Sequence, residues 1–300
     1  MGNTASKART LARMSVRSPR QLVDYAVMHL RRRPAPVYVG DGLVLTTTRE
    51  RHRLLVEGQD LAVSPWLIVE GIFDEPFTFY LRRTLQAGDT YVDVGANVGH
   101  YVVTAGRAVG PTGRVVAYEP APRMIELLRR NIVMNWVHGW VRVRPVAVGA
   151  AAGVGTLGVP DRNAGAAGLG ITNVDDAVEG TEVTAIEVPV VCLDDDLAGS
   201  GVIRILKLDI EGGEGAVLEG MRTLIAERRV RTIVLEVNQI ARGRVGNDDG
   251  WHALVRELRA LDRVGYTWST IDRVGGTRHI ALEQALEMPF LSHLVGDAPG

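Results

Sequence analysis

Apolar and polar positions change their spacing twice along the chain. No period is sustained over residues 1–20; QLVDYAVMHLRRR then sets Leu22, Tyr25, Ala26, Met28 and Leu30 at roughly helical spacing, and Pro34 stops the run. From Val37 to Val69 the pattern alternates in PVYVGDGLVLTTT, RHRLLVEG and SPWLIVEG, which predicts short antiparallel strands in a small lid or accessory layer. PFTFYLRRTLQAGD predicts a helix closed by Gly88. From Asp89 onward, strand-length apolar runs alternate with helix-length segments, the pattern of a parallel sheet with helical crossovers. The strands are TYVDVGA, RVVAYEP, VRVRPVAVGA, TAIEVPVV, RILKLDI and TIVLEVN, followed by a closing antiparallel pair, YTWSTID and RHIALE. The helices lie over VGHYVVTAGRAVG, RMIELLRRNIVMN, GAVLEGMRTLIAERR and about 251–261. The expected division is an accessory region over 1–88 and an α/β domain over 89–300, with a Gly/Ala-rich insertion at about 150–180 too poor in large apolar residues to pack a core.

Composition narrows the classes. A chain of 300 residues, 46% hydrophobic, is long enough for one large domain. Its 34 Lys and Arg nearly cancel 35 Asp and Glu, so no whole-protein field draws it to nucleic acid, and a nucleic-acid partner is not expected. A single cysteine, Cys192, excludes an internal disulfide framework and any Cys-based zinc site, which fits a reducing cytoplasm. The start has no apolar signal segment and no run reaches the roughly 18 to 20 apolar residues that span a bilayer. MGNTAS fits the N-myristoylation pattern, although a frayed start explains it as well. Trp66, Trp136, Trp140, Trp251 and Trp268 are expected to pack the core. Oligomeric state is not legible.

The chemistry concentrates at YVDVGANVGHY, residues 91–101, where a strand gives way to a helix. Ligands of open α/β sheets bind outside the carboxyl ends of the strands, and the first such turn is the usual cradle. Gly95 and Gly99 permit positive φ and a close backbone approach, and amides at a helix start favour an anion. The spacing is not G-x-G-x-x-G, and Asp93 would repel a pyrophosphate while attracting an ammonium or sulfonium group. Glu119 ends the next strand, where a carboxylate accepts hydrogen bonds from both hydroxyls of a ribose. An amino-acid end at one turn and a ribose at the next describe S-adenosylmethionine. A tight turn with a buried Asp capping a helix would produce the first motif alone.

A second motif, KLDIEGGE, puts Asp209 at a strand end with Glu211 and Glu214 in the turn beyond. If an alcohol is the methyl acceptor, it needs a base or a cation, and Asp209 or Glu211 is placed to act as the base. Asp209, Glu236 and Asn238 are oxygen donors suited to a hard divalent metal, and equally to a buried hydrogen-bonded cluster. His100 and His252 are lone histidines, more in keeping with bystanders.

Residues 89–135 together with ILKLDIEGGEGAVLEGMRTLI resemble the FkbM-type family of S-adenosylmethionine-dependent methyltransferases, over about Asp89 to Asn238. The resemblance implies a class I methyltransferase fold, a Rossmann-like, mostly parallel seven-stranded sheet, and methylation of a hydroxyl on a sugar or related natural product. By matching motifs it places Asp93, Gly95, Ala96, Asn97 and Gly99 at the methionine end, Glu119 at the ribose and Ala147 by the adenine. His100 stands where the family more often has Tyr. A small-molecule or glycan acceptor is expected, its pocket shaped by the accessory strands and the insertion. An NAD-type oxidoreductase and a catalytically silent nucleoside-binding module are the alternatives.

Overall fold

The computed structural model describes residues 33–160, 167–169, 182–238 and 248–300. The helix expected over 21–33 therefore lies, apart from Arg33, outside the described residues. The chain first forms an antiparallel sheet in the order β1 (Val37–Gly40), β2 (Leu43–Thr47) and β3 (Arg53–Glu57), as the alternation predicts. SPWLIVEG is not a strand: α1 (Ser64–Val69) is helical. Pro65 lacks the amide a strand would need but suits a first helical turn, and the Asp60 carboxylate accepts hydrogen bonds from the amides of Val63 and Ser64 at 3.0 and 2.7 Å. Trp66 on this helix is 57% exposed, against expectation. The helix α2 (Glu75–Thr84) follows, one turn shorter than its sequence pattern.

The alternation beyond Asp89 folds into β4 (Thr90–Val94), α3 (His100–Val109), β5 (Arg114–Tyr118), α4 (Pro122–Met134) and β6 (Val141–Arg144). VRVRPVAVGA is two strands, because Pro145 interrupts it: β6 stays in the main sheet while β7 (Ala147–Val148) joins another. That second sheet has the order β7-β10-β8-β9, built from β8 (Gly153–Pro160), β9 (Gly168–Leu169) and β10 (Val183–Val191). The supposedly coreless insertion thus contributes a strand, β8, paired along its whole length with β10, and Leu157 on it is 2% exposed. Residues 161–166 and 170–181 of the insertion lie outside the described residues.

After α5 (Leu193–Asp196) come β11 (Ile205–Leu208), α6 (Glu214–Glu219), α7 (Arg222–Ala226), β12 (Thr232–Asn238), α8 (Asp248–Arg263), β13 (Thr267–Ile271), β14 (Thr277–His279), α9 (Leu282–Leu286) and β15 (Phe290–Asp297). The main sheet has eight strands in the order β14-β13-β15-β12-β11-β4-β5-β6, one more than expected. β12, β11, β4, β5 and β6 run parallel; β15 is antiparallel to both β12 and β13. The predicted pair β13 and β14 forms at the edge, but the strand that enters the sheet against the run is β15, absent from the sequence pattern. Its burial alternates up to His293 and then runs unbroken through Gly296, so no period of two was legible.

Order reverses at β4: the chain winds outward through β5 and β6, then returns to lay β11 on the other side. Val94, Tyr118 and Leu208 are register partners, so the carboxyl ends of these three strands share one rim. Both faces of these strands are covered, hence TYVDV and ILKL are apolar nearly throughout. The N-terminal sheet is bolted to this frame by two asparagines one turn apart, Asn131 in the last turn of α4 and Asn135 just beyond its end. Asn131 accepts from the Leu55 amide at 2.7 Å and donates to the Leu55 carbonyl at 3.0 Å, while Asn135 does the same for Arg53 at 3.1 and 2.7 Å. Their carboxamides stand in for a fourth strand along the open edge of β3. Trp268 is buried and Trp140 partly so, but Trp136 is 76% exposed. No helix among the described residues is long and apolar enough to cross a membrane.

Candidate active site

The turn after β4 is built by backbone conformation. Gly95, Asn97 and Gly99 have φ of 87°, 49° and 88°. A Cβ on Gly95 would lie 2.0 Å from the Asp209 carbonyl oxygen, so the two strand ends touch only because this residue has no side chain. The amides expected to await an anion are engaged within the protein. Those of Gly95 and Ala96 donate to the Tyr118 carbonyl at 3.1 and 3.0 Å, that of Gly99 to Ala96, and that of Val98 to the Asn97 side chain at 2.6 Å. The Asn97 amide donates to Glu119 Oε2 at 2.7 Å.

Glu119 organises this rim. Its other oxygen accepts from the Ala121 amide at 2.9 Å, leaving acceptor capacity on both oxygens. Burial pushes its carboxyl up to about 7, against the pull of the two amides and with help from nearby Asp93. Glu119 faces an open cleft whose empty space, solvent mouth included, is about 600 Å³, with Gly95 and Asn97 beside it, an apolar wall of Val146, Ala147, Val148 and Leu157, and Asp209 at the far side. Gly168 and Leu169 also line it, so the insertion borders this cavity.

Asp93 does not face it. Its side chain is fully enclosed, and the cation it meets is the chain's own: Lys207 Nζ lies 3.4 Å from Asp93 Oδ1, 3.0 Å from Asp209 Oδ2 and 5.0 Å from the Tyr101 ring centroid. The charge expected to attract a ligand ammonium is neutralised internally. Burial raises the Asp93 carboxyl, with Lys207 partly offsetting it. For Lys207, burial acts downward but the two carboxylates outweigh it and the net shift is upward. For Asp209, burial acts upward but Lys207 outweighs it and the carboxyl falls below its usual range. Sequence reasoning passed over Lys207, although a lysine inside the apolar run ILKL of a central strand was the available signal.

Asp209 also borders a second cavity, about 530 Å³ of empty space with its solvent mouth included, walled by Phe73, Asp74, Tyr101, Lys207, Glu236 and His293. Of the predicted residues, Gly95, Asn97, Glu119, Ala147 and Asp209 line the first cavity, and Asp209 and Glu236 the second. Ala96 and Gly99 stand behind the first; a Cβ on Gly99 would meet Leu128 Cδ1 at 2.5 Å, so its place is set by helix packing. Glu211 lines neither, and burial together with the Asp209, Glu236 and Glu214 charges pushes its carboxyl up to about 8. His252 is exposed, while His100 is buried with Nε2 3.2 Å from Thr78 Oγ1, its ring held down to about 4 by burial. Among the described residues no group of three His, Cys, Asp or Glu is arranged to hold a metal. Asp209 is taken by Lys207, and the Asn238 side chain lies outside the described residues. Asp74 and His293 went unnoticed in the sequence; neither sits in a motif.

A doubly wound sheet whose second strand ends in a cavity-facing Glu, with a second cavity that shares Asp209 as a lining residue, has the layout of a nucleoside-binding α/β domain. Residues 93–267 match the methyltransferase FkbM domain. The 31-O-demethyl-FK506 methyltransferase FkbM of Streptomyces tacrolimicus is 32% identical over 197 residues, covering 56% of this chain and 74% of that protein. The chain belongs to the FkbM methyltransferase family and is an S-adenosylmethionine-dependent methyltransferase. Solved structures similar to it include the O-methyltransferase TomG of Streptomyces achromogenes, with 14% identity, 81% of this chain and 88% of that one covered, and a TM-score of 0.45. An rRNA methylase of Streptococcus thermophilus is similar at 10% identity, 76% and 99% coverage and a TM-score of 0.40.

Proposed function

We propose that this chain methylates a hydroxyl of a sugar moiety or other small natural product, as a cytoplasmic enzyme. The observation that carries the proposal is Asp209, the shared wall of two cavities, one suited to the cofactor and one to an acceptor. The first cavity fits S-adenosylmethionine by its donor set. Glu119 has acceptor capacity for both ribose hydroxyls, and the Val146–Val148 wall with Ala147 suits an adenine plane. S-adenosylmethionine supplies an electrophilic methyl on a sulfonium. The chain's residues have the remaining tasks. Asn97 and Gly95 border the methionine end, Ala96 and Gly99 hold the turn in shape, and Asp93 anchors Lys207. Lys207 in turn fixes the Asp209 carboxylate where the two cavities meet. Glu211, protonated near neutral pH, sets the charge balance beneath them rather than facing the acceptor.

Phe73, Tyr101 and Phe290 give the second cavity apolar faces, and Asp74, Asp209, Glu236 and Lys207 give it polar groups, a mixture that suits a polyhydroxylated acceptor. A relative named for methylating 31-O-demethyl-FK506 supports an oxygen acceptor. In this proposal residues 1–88 are the accessory region and 89–300 the catalytic domain, with Phe73 and Asp74 lending the former a wall of the acceptor cavity.

Calorimetry with S-adenosylhomocysteine and with NAD tests the cofactor side. S-adenosylhomocysteine should bind, NAD should not, and Glu119→Ala should weaken binding at least about tenfold. Labelled S-adenosylmethionine added to small-molecule and total-RNA fractions of the source organism, with and without chelator, tests the acceptor side. Label in the RNA alone, or in no small molecule, defeats the proposed acceptor class.

A further inference from the structure

His293 sits where β15 breaks its register. Leu294 faces Leu235 and Leu291 faces Val237, so β15 spends one residue more than β12 over this step, and Ser292 and His293 bulge opposite Glu236. Bulges of this kind re-aim a side chain and are common beside active sites. Here the imidazole is buried, stacked on Phe77 with ring centroids 4.8 Å apart and planes 11° from parallel, and it lines the acceptor cavity. His293 Nε2 lies 2.8 Å from Asp74 Oδ2. The same carboxylate oxygen accepts from the Tyr101 hydroxyl at 3.3 Å, and Asp74 is a non-glycine residue held at φ 46° just before α2. A carboxylate at Nε2 keeps the proton on that nitrogen and leaves Nδ1 as a bare acceptor. Nδ1 is buried and has no hydrogen-bond partner. A buried acceptor without a donor is costly, and a substrate hydroxyl is the group that would relieve it.

Lys207 on β11 is held as an ammonium and Asp209 beside it as a carboxylate stabilised by that charge, which makes both worse bases, while Glu236 on β12 also lines the cavity. Tyr101 on α3 has its phenol pushed well above the usual range by burial and nearby carboxylates.

We propose that His293 is the general base of the methyl transfer and that Asp74 is the residue that positions it. The proposal rests on the hydroxyl-acceptor function above. The acceptor's proton passes to Nδ1 as its oxygen bonds to the methyl carbon, and the carbon–sulfur bond breaks with its electron pair going to sulfur. The imidazolium then returns the proton to solvent.

The test has two arms. In ¹⁵N-histidine NMR of the whole chain at pH 7.5, the His293 ring, assigned by its loss in His293→Gln, should be the neutral Nε2-protonated tautomer, and Asp74→Asn should disturb that state. A ring protonated at Nδ1 overturns the proposal. In the second arm, label is followed from S-adenosylmethionine into the small-molecule extract. His293→Gln should lower turnover at least about 100-fold while S-adenosylhomocysteine affinity, which also reports that the variant is folded, stays within about twofold. Asp74→Asn should lower the plateau rate while S-adenosylhomocysteine affinity stays within about twofold, and Asp74→Glu should recover part of the loss. A His293→Gln enzyme keeping more than a tenth of wild-type turnover overturns the base while leaving the hydroxyl acceptor intact. Wild type that binds S-adenosylhomocysteine but labels no small molecule removes the hydroxyl acceptor, and the base with it.

Discussion

Gly95 has a tightly constrained backbone in the turn after β4. An alanine there must hold φ near 87° and bring a methyl group to 2.0 Å from a backbone oxygen that belongs to the neighbouring strand end. Neither obstacle yields to a side-chain rotation. Gly95→Ala is expected to cost about 3 kcal/mol in chemical denaturation, and to weaken S-adenosylhomocysteine binding by parting β4 from β11. An unchanged denaturation midpoint would contradict the close approach. The turn formed by Gly95, Asn97 and Gly99 was legible because each residue type answers a local demand of a strand-to-helix connection. The partner of Asp93 was not: Lys207 stands 114 positions away, and only the pairing of β4 with β11 brings the two together.

Among the elements, the join between the N-terminal sheet and α4 carries the clearest consequence. Asn131 is fully buried and its side chain makes three hydrogen bonds, two to Leu55 and one to the Val98 carbonyl at 2.8 Å. Asn131→Ala strands the amide and carbonyl of Leu55 in a dry interface. The expected loss is about 2 to 4 kcal/mol by urea denaturation, with faster hydrogen exchange in β2 and β3 than in β4. Equal protection of the two sheets would show that the asparagines are not what holds them. Helices and parallel strands were readable from period, since their buried faces repeat at regular intervals. The errors fell where one residue overrides a period: Pro65 turns an apolar run into α1, Pro145 divides a strand between two sheets, and the bulge at His293 hides β15.

Across the whole molecule, buried titratable groups set the response to pH. Burial lifts Glu50 and Glu119 to about 7 and Glu211 to about 8, so the folded chain holds protons that the unfolded chain releases above its ordinary carboxyl pKa near 4.5. Stability from these groups is present at low pH and lost as pH rises through 7 and 8. His52, held down to about 3, and His100, held down to about 4, act in the opposite sense, but only below the unfolded histidine pKa near 6.5. Between about pH 6.5 and 8.5 these two histidines no longer contribute, and the raised carboxyls set the slope. Calorimetric Tm should fall across that interval, and Glu50→Gln should flatten the slope; a Tm that rises would refute the shared burial of the three carboxyls.

The α/β frame and the methyltransferase family could be read from neighbouring residues alone, because period, turn chemistry and motif order are local properties. Which charges meet follows from the fold. It gave Asp93 a lysine partner, set Asp209 against two cavities, and brought Asp74 to His293 across 219 positions, a separation read from their numbers. Contacts of that kind depend on strand order and on a one-residue bulge, and neither leaves a mark on local composition.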